Sequence, residues 1–283
     1  MSHRGGRTHV APLQLFGNFS EANRAPTPNE LECSNSAIPC LLPSAYISDP
    51  SLKQVVSRTI ELGARGRLPD VFGGRFTWDA DFFHTMNTDD IIYVSAINST
   101  QGGYFTNAGD TLRQGFEATL TWKGHGVRAT LGYSYTDATY HTALTLNSPN
   151  NPAANMNGQI SVVPGDRLPL VPAHRANLTI DYDVTDRWTV GGSLIAASSQ
   201  FLIGDDSNQQ KPLGGYVVAN LNTSYRVTDH VQVFGVVDNI TNQRYNEYGT
   251  FVQVNLINPA FSNPRVYVPG APVEAFGGVR VTF

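Results

Sequence analysis

Cysteine is nearly absent from this chain. The two present, Cys33 and Cys40, are too few for a disulfide framework to stand in for a core. Basic residues are also sparse: 19 Lys and Arg against 23 Asp and Glu give a net charge of −4. No Lys/Arg cluster or aromatic-studded basic stripe occurs, so nucleic acid is not an expected partner. There is no run of about 18 apolar residues, which excludes a helical membrane span. The seven histidines form no H-E-x-x-H and no ligand pair at metal spacing, and neither a G-x-S-x-G elbow nor a phosphate-cradling glycine loop is found. No enzymatic activity, cofactor or metal is therefore expected. The carboxylate pairs Asp89/Asp90 and Asp205/Asp206 fall at strand ends or in loops and read as solvated turn residues. The first ten residues, MSHRGGRTHV, lack an apolar core and are expected to be a disordered segment rather than a secretory signal.

What the chain does have is alternation. With 41% hydrophobic and 15% charged residues it is too apolar for disorder, and its apolar residues recur at every second position. From Gly126 to Thr136, Val127, Ala129, Leu131, Tyr133 and Tyr135 share one face, opposite Arg128, Thr130, Ser134 and Thr136. Arg175 to Val184 repeats the phase: Ala176, Leu178, Ile180, Tyr182 and Val184 oppose Arg175, Asn177, Thr179, Asp181 and Asp183. Phe76, Trp78, Ala80 and Phe82 do the same, as do Phe116, Ala118, Leu120 and Trp122. A period of two is a strand. One oily face and one charge-bearing face on successive strands fit a wall between lipid and a wet lumen, and Trp78, Trp122 and Trp188 lie near short turns, where indoles favour the headgroup boundary. Arg58 and Gln114 interrupt the oily face of their strands, and Val231 to Val237 is apolar on both faces. Asp79/Asp81 and Asp181/Asp183 point together into the lumen, where Arg75, Arg128 and Arg175 are their expected cross-strand partners.

Short turns are expected near Gly66 to Gly74, Lys123 to Gly126, Val184 to Arg187 and Val227 to His230. Long polar stretches lie between them: Glu21 to Lys53, Ala138 to Val171, Gln200 to Gly214 and Tyr245 to Pro272. Short turns on one side and long loops on the other is the plan of an outer-membrane barrel. The fold class expected is all-β, an antiparallel transmembrane barrel wall of about ten strands running from Leu13 to Phe283, with residues 11–283 as one domain. Cys33 and Cys40 share the first long loop, with Pro39 between them, and a disulfide there suits an exported loop. At the C-terminus, Val279, Val281 and Phe283 share a face and end in an aromatic, as in the signal that outer-membrane proteins present to the barrel-assembly machinery.

Several strings carry a family likeness: SEANRAPTPNEL (Ser20 to Leu31), NTDDIIYV (Asn87 to Val94), FTNAGDTLRQGFEATL (Phe105 to Leu120), VVDNITNQRYNEYG (Val236 to Gly249) and the terminal VRVTF. In this order they resemble the second half of the barrel of TonB-dependent outer-membrane receptors. The resemblance implies the C-terminal part of a roughly 22-stranded barrel, with a plug domain and the earlier strands supplied by sequence not present here. It implies localisation in the outer membrane of a Gram-negative bacterium, contact with outer-membrane lipid, and uptake of a large scarce nutrient such as a ferric siderophore, another metal chelate or cobalamin. The TonB complex would be met only through the missing plug, and the segment would not be competent alone. Asn107 to Gly109, Arg113, Gly115, Glu117 and the run Asp238 to Tyr245 match the family's elements and read as barrel architecture. Tyr46, Tyr104, Phe201, Tyr248 and Phe251 lie in long loops and are the expected ligand-recognition aromatics. Two other readings compete: a complete small outer-membrane barrel acting as a porin or hydrolase, and a soluble β-rich binding module. For the hydrolase, His84, His141 and His174 have no nucleophile partner in sequence.

Overall fold

The computed structural model describes residues 13–32, 52–96, 102–256 and 258–283. Met1 to Val10 and the pair Cys33 and Cys40, with their expected bridge, lie outside these residues, as does Tyr46. The wall opens with β1 (Leu13–Arg24), β2 (Val55–Val71) and β3 (Gly74–Thr88). A hairpin, β4 (Ile91–Ser95) and β5 (Gly103–Asn107), precedes β6 (Thr111–Gly124) and β7 (Val127–Tyr140). A second hairpin, β8 (Leu144–Asn147) and β9 (Gln159–Val162), leads into β10 (His174–Thr185), β11 (Trp188–Ala197), β12 (Tyr216–Arg226) and β13 (Val231–Asp238). The third, β14 (Asn246–Phe251) and β15 (Arg265–Pro269), comes before β16 (Glu274–Val281). Ten strands form one antiparallel sheet in the order β1-β2-β3-β6-β7-β10-β11-β12-β13-β16, and the three hairpins stand apart as separate two-stranded sheets. A short α-helix, Pro28–Glu32, follows β1; among the described residues no helix is long and apolar enough to cross a membrane.

Register turns the alternation of single strands into a continuous surface. Phe76 lies opposite Leu68 and Trp122, Trp122 opposite Ala129, Ala129 opposite Ile180, and the row continues through Gly192, Leu221 and Val237 to Ala275. Every member is apolar. Because side chains alternate, one slip would carry this whole row to the opposite, charge-bearing face, so the separation of the two faces fixes the register strongly. The opposite face carries Glu61, Asp79, Asp81, Glu117, Arg128 and Asp181. Arg128 stands directly across from Asp181, as expected, but no ion pair joins Asp79, Asp81, Asp181 or Asp183 to an arginine among the described residues. Asp183 instead accepts from the Thr189 hydroxyl at 2.7 Å.

The turns at one end are tighter than the sequence suggested. β2 continues through Arg67 to Val71, and only Phe72 and Gly73 turn; the register shift between Leu68 and Val71 absorbs Pro69, which has no N–H for the ladder. Phe72 and Gly73 both have positive φ, as do His125 and Gly126. That is the two-residue turn whose twist matches the strands it joins. Trp122 Nε1 donates to the Val71 carbonyl at 2.8 Å, and Trp188 Nε1 to Thr223 Oγ1 at 2.9 Å. Each indole is thereby satisfied beside its turn.

At the other end the long connections fold. The segment 89–110, not separated by the sequence pattern, holds the β4-β5 hairpin. Most buried side chains lie in these connections or at the strand ends beside them, because a single curved sheet has little interior of its own. One cluster joins Val94, Ala108, Ala138, Tyr140, Leu146, Ile160, Val162 and Leu168; a second joins Leu202, Leu213 and Phe251. The sheet's outer members, β1 and β16, each have a single neighbour among the described residues.

Candidate functional site: the loop assembly

The base of the 89–110 hairpin is organised by Asp90, buried at 7% exposure. One carboxylate oxygen accepts from Thr111 Oγ1 at 2.7 Å and Arg113 at 2.9 Å; the other accepts from the Ile91 amide at 3.0 Å. Arg113 also donates to Thr111 Oγ1 at 3.0 Å. Asn107 closes the hairpin from the side, donating to the Asp89 carbonyl at 2.7 Å and accepting from the Lys53 amide at 2.9 Å. Gly109 has φ +74, and a Cβ there would strike Thr142. Asp110 and Thr142 then tie this hairpin to the next excursion through the Asp110 amide and Thr142 Oγ1 at 2.9 Å.

Asp205 and Asp206 are buried too. Asp205, with no exposed surface, accepts from the amides of Gln209 and Gln210 at 3.2 and 3.1 Å and from Asn151 at 3.4 Å. Asp206 accepts from the Tyr140 hydroxyl at 2.5 Å. Burial pushes the Asp206 carboxyl up to about 6, aided by the nearby Asp205 and Asp166 charges and opposed by the Tyr140 hydrogen bond. Burial also raises Asp205, against the donors that surround it. These carboxylates are structural pins, not the solvated turn residues that their sequence context suggested.

Further bonds clamp segment 198–215 between its neighbours. Ser148 and Asn151 both donate to the Gly204 carbonyl at 2.7 Å, the Arg167 amide donates to Asn208 at 2.6 Å, and the Leu170 amide to the Phe201 carbonyl at 3.1 Å. On the other side the Ile203 amide donates to Gly249 at 2.9 Å, Gln200 to Glu247 at 2.6 Å and Arg265 to the Lys211 carbonyl at 3.1 Å. The result is a pre-set rim with exposed aromatics. Its buried carboxylates accept from backbone amides and from the side chains of Thr111, Arg113, Asn151 and Tyr140.

Residues 9–240 match the family described as TonB dependent receptor-like, beta-barrel. The chain belongs to this family of TonB-dependent receptor barrels. Similar folds are the siderophore receptor PiuA from Acinetobacter baumannii (15% identity, TM-score 0.64), the copper transporter OprC (18%, 0.67) and the ferric yersiniabactin uptake receptor FyuA from Yersinia pestis (16%, 0.64). Each comparison covers 96 or 97% of this chain. The chain spans about a third of their lengths: 34%, 37% and 36% respectively. No curated sequence matches it.

The strings that resemble TonB-dependent receptors now have physical roles. Asn107 to Gly109 and Arg113 build the hairpin base. Gly115 sits where a Cβ would lie 1.9 Å from the Tyr135 carbonyl and 2.9 Å from the Phe83 ring, so only glycine permits that strand approach. In the 238–245 run, Asn239 is left-handed at φ 48. It donates to the carbonyls of Gln243 and Ala271, both at 2.9 Å, and its side-chain oxygen accepts from the Gln243 amide at 2.8 Å. One asparagine thus holds a whole turn closed.

The described loop aromatics differ in burial. Tyr104 is half-buried against the larger cluster, its hydroxyl accepting from Asn147 at 3.1 Å. Phe201 is half-buried beside the 170 segment. Phe251 is buried with Leu202 and Leu213, which is packing, whereas Tyr248 is 42% exposed. Sequence reasoning missed Tyr93, exposed and edge-on to Phe105 at 5.6 Å, together with Tyr267 and Phe261, both exposed. An aromatic in a two-residue alternation looks the same whether it meets solvent or a neighbouring loop. At the terminus Val279 and Val281 lie opposite Val233 and Val231 on the outward face, and Phe283 is fully exposed beyond β16.

Proposed function

We propose that this chain is the C-terminal barrel segment of an outer-membrane receptor for active uptake of a large scarce nutrient such as a ferric siderophore or cobalamin, in a Gram-negative bacterium. The family match across residues 9–240 carries the reading. It is supported by siderophore receptors among the similar folds, of which the chain spans about a third. The single-neighbour edges of β1 and β16 support a wall completed by further strands, since each unsatisfied backbone group in hydrocarbon costs several kcal/mol. The segment catalyses nothing and is not competent alone. Its contact with the TonB complex runs through a plug domain, and Val279, Val281 and Phe283 present it to the barrel-assembly machinery. Tyr248, together with Tyr104 and Phe201, contributes to ligand recognition, and Tyr46, Cys33 and Cys40 belong to the first long loop, with the two cysteines bridged.

DNA upstream of Met1 tests the segment reading: coding sequence for a plug domain and earlier strands is expected, and a complete promoter and start signal with neither would overturn it. In the complete receptor, Tyr248→Ala is expected to weaken ligand binding about tenfold through loss of an exposed aromatic contact, measured by equilibrium binding. Unchanged affinity removes Tyr248 from the recognition surface.

A further inference from the structure

On the charge-bearing face, the row nearest the short turns runs Arg75, Lys123 and Arg128 on β3, β6 and β7, each directly opposite the next. All three residues are exposed. With strands about 4.8 Å apart, three cations fall within about 10 Å of one another, and like charges set directly opposite each other are destabilising. Arg67, across from Thr77 on the same face, adds a fourth.

Among the described residues none of the three enters an ion pair, and the carboxylates nearest in register turn the other way. Asp181, across from Arg128, leans over Gly191, where an added Cβ would collide with its Oδ1 and lie 2.8 Å from Asn222. Asp183 is held by Thr189 Oγ1 at 2.7 Å. One row further in, Thr77, Thr121 and Thr130 stand opposite one another, so hydroxyls flank the cations. The space in front is open, about 820 Å³, and Gly73, Gly124 and Gly126 line it at the turns. Where side chains are missing, another backbone can come close.

We infer that this row docks an acidic segment of the plug domain, whose Asp or Glu carboxylates accept from Arg75, Lys123 and Arg128. Charge and position select the occupant. Three adjacent cations with no acid of their own call for an anion, and a row about 10 Å long is matched by several carboxylates on one chain, not by one small ion. Lipid meets the opposite face, so what lies against this one is the domain inside the wall. The inference rests on the receptor reading above, from which the plug domain comes.

The test uses the complete receptor in outer-membrane vesicles, treated with a water-soluble carbodiimide, which joins a lysine amine to a carboxylate only where the two touch. Peptide mass spectrometry reads the links. Lys123 is expected to be joined to an Asp or Glu of the plug domain, and the double variant Lys123→Arg/Arg75→Lys, which moves the amine along the row, should link to the same segment. In Arg75→Gln/Arg128→Gln the Lys123 link should fall about fivefold, as for two exposed ion pairs, with heat-resistant gel migration checking that the barrel is folded. No link from Lys123, a link only to Asp181, Asp183 or a separate periplasmic protein, or an undiminished link in the folded glutamine variant overturns the docking row. A complete gene without a plug domain would instead remove the receptor reading, and the row's role with it.

Discussion

Tyr140→Phe is the sharpest perturbation of the loop assembly. The ring is fully buried in the larger cluster, and phenylalanine keeps its shape, so packing is retained. What is lost is the 2.5 Å hydrogen bond to Asp206, a carboxyl only 8% exposed. Above pH 6 the charged carboxylate is left buried without its donor, which costs about 3 kcal/mol, equivalent to roughly a 150-fold shift in loop opening. Below pH 6 Asp206 takes up a proton and the cost falls to about 1 kcal/mol, or roughly fivefold. Amide hydrogen exchange reads this directly at Arg167, Leu170 and Ile203, whose N–H groups bond across the three loops. Exchange there at pH 8, corrected for its intrinsic pH dependence, should rise by about two orders of magnitude while the amides of Leu178 and its wall neighbours stay protected. A rise of less than about threefold, or an equal rise in the wall, would refute Asp206 as the pin of a locally cooperative loop unit.

The same carboxyl sets a pH dependence. Its folded value, about 6, lies above the ordinary carboxylate value of about 4, so the stability it contributes is complete below about pH 4 and is lost as pH rises through about 6. Loop protection should therefore fall between pH 4.5 and 7.5, and Asp206→Asn should flatten that profile. In the wall, Gly115→Ala meets the Tyr135 carbonyl and should cost about 3 kcal/mol of stability, read as loss of the heat-resistant folded form; Gly132→Ala, whose nearest neighbour is 4.0 Å away, should be tolerated. Leu178→Arg on the lipid face should cost about 2–4 kcal/mol in urea unfolding from vesicles, with Thr179→Arg on the lumen face near neutral; equal costs would invert the assigned faces.

Alternation made the wall legible. In β7 and β10 the lipid and lumen faces follow directly from Leu131, Tyr133, Leu178 and Ile180, because the physics that sorts them is local and repeats every second residue. After β2, Pro69 and Asp70 read as turn residues in the sequence, whereas a register shift keeps them in the strand. The interior of the loops was illegible for a different reason. Asp206 lies in a run of Gly, Ser and Asn that reads as solvated, and its burial depends on Tyr140, 66 residues away. Likewise Phe251 packs and Tyr248 is open, although only Gly249 and Thr250 separate them; loop-to-loop docking decides which, and no period encodes it.

Clamping has a bearing on how new specificities arise. Since the three hairpins are fastened to each other before any guest arrives, little conformational freedom remains to be surrendered on capture. On the receptor reading proposed above, discrimination would fall to shape at the exposed ring faces, not to refolding of the loops, while Asp90, Asp205 and Asn239 keep their frame unchanged.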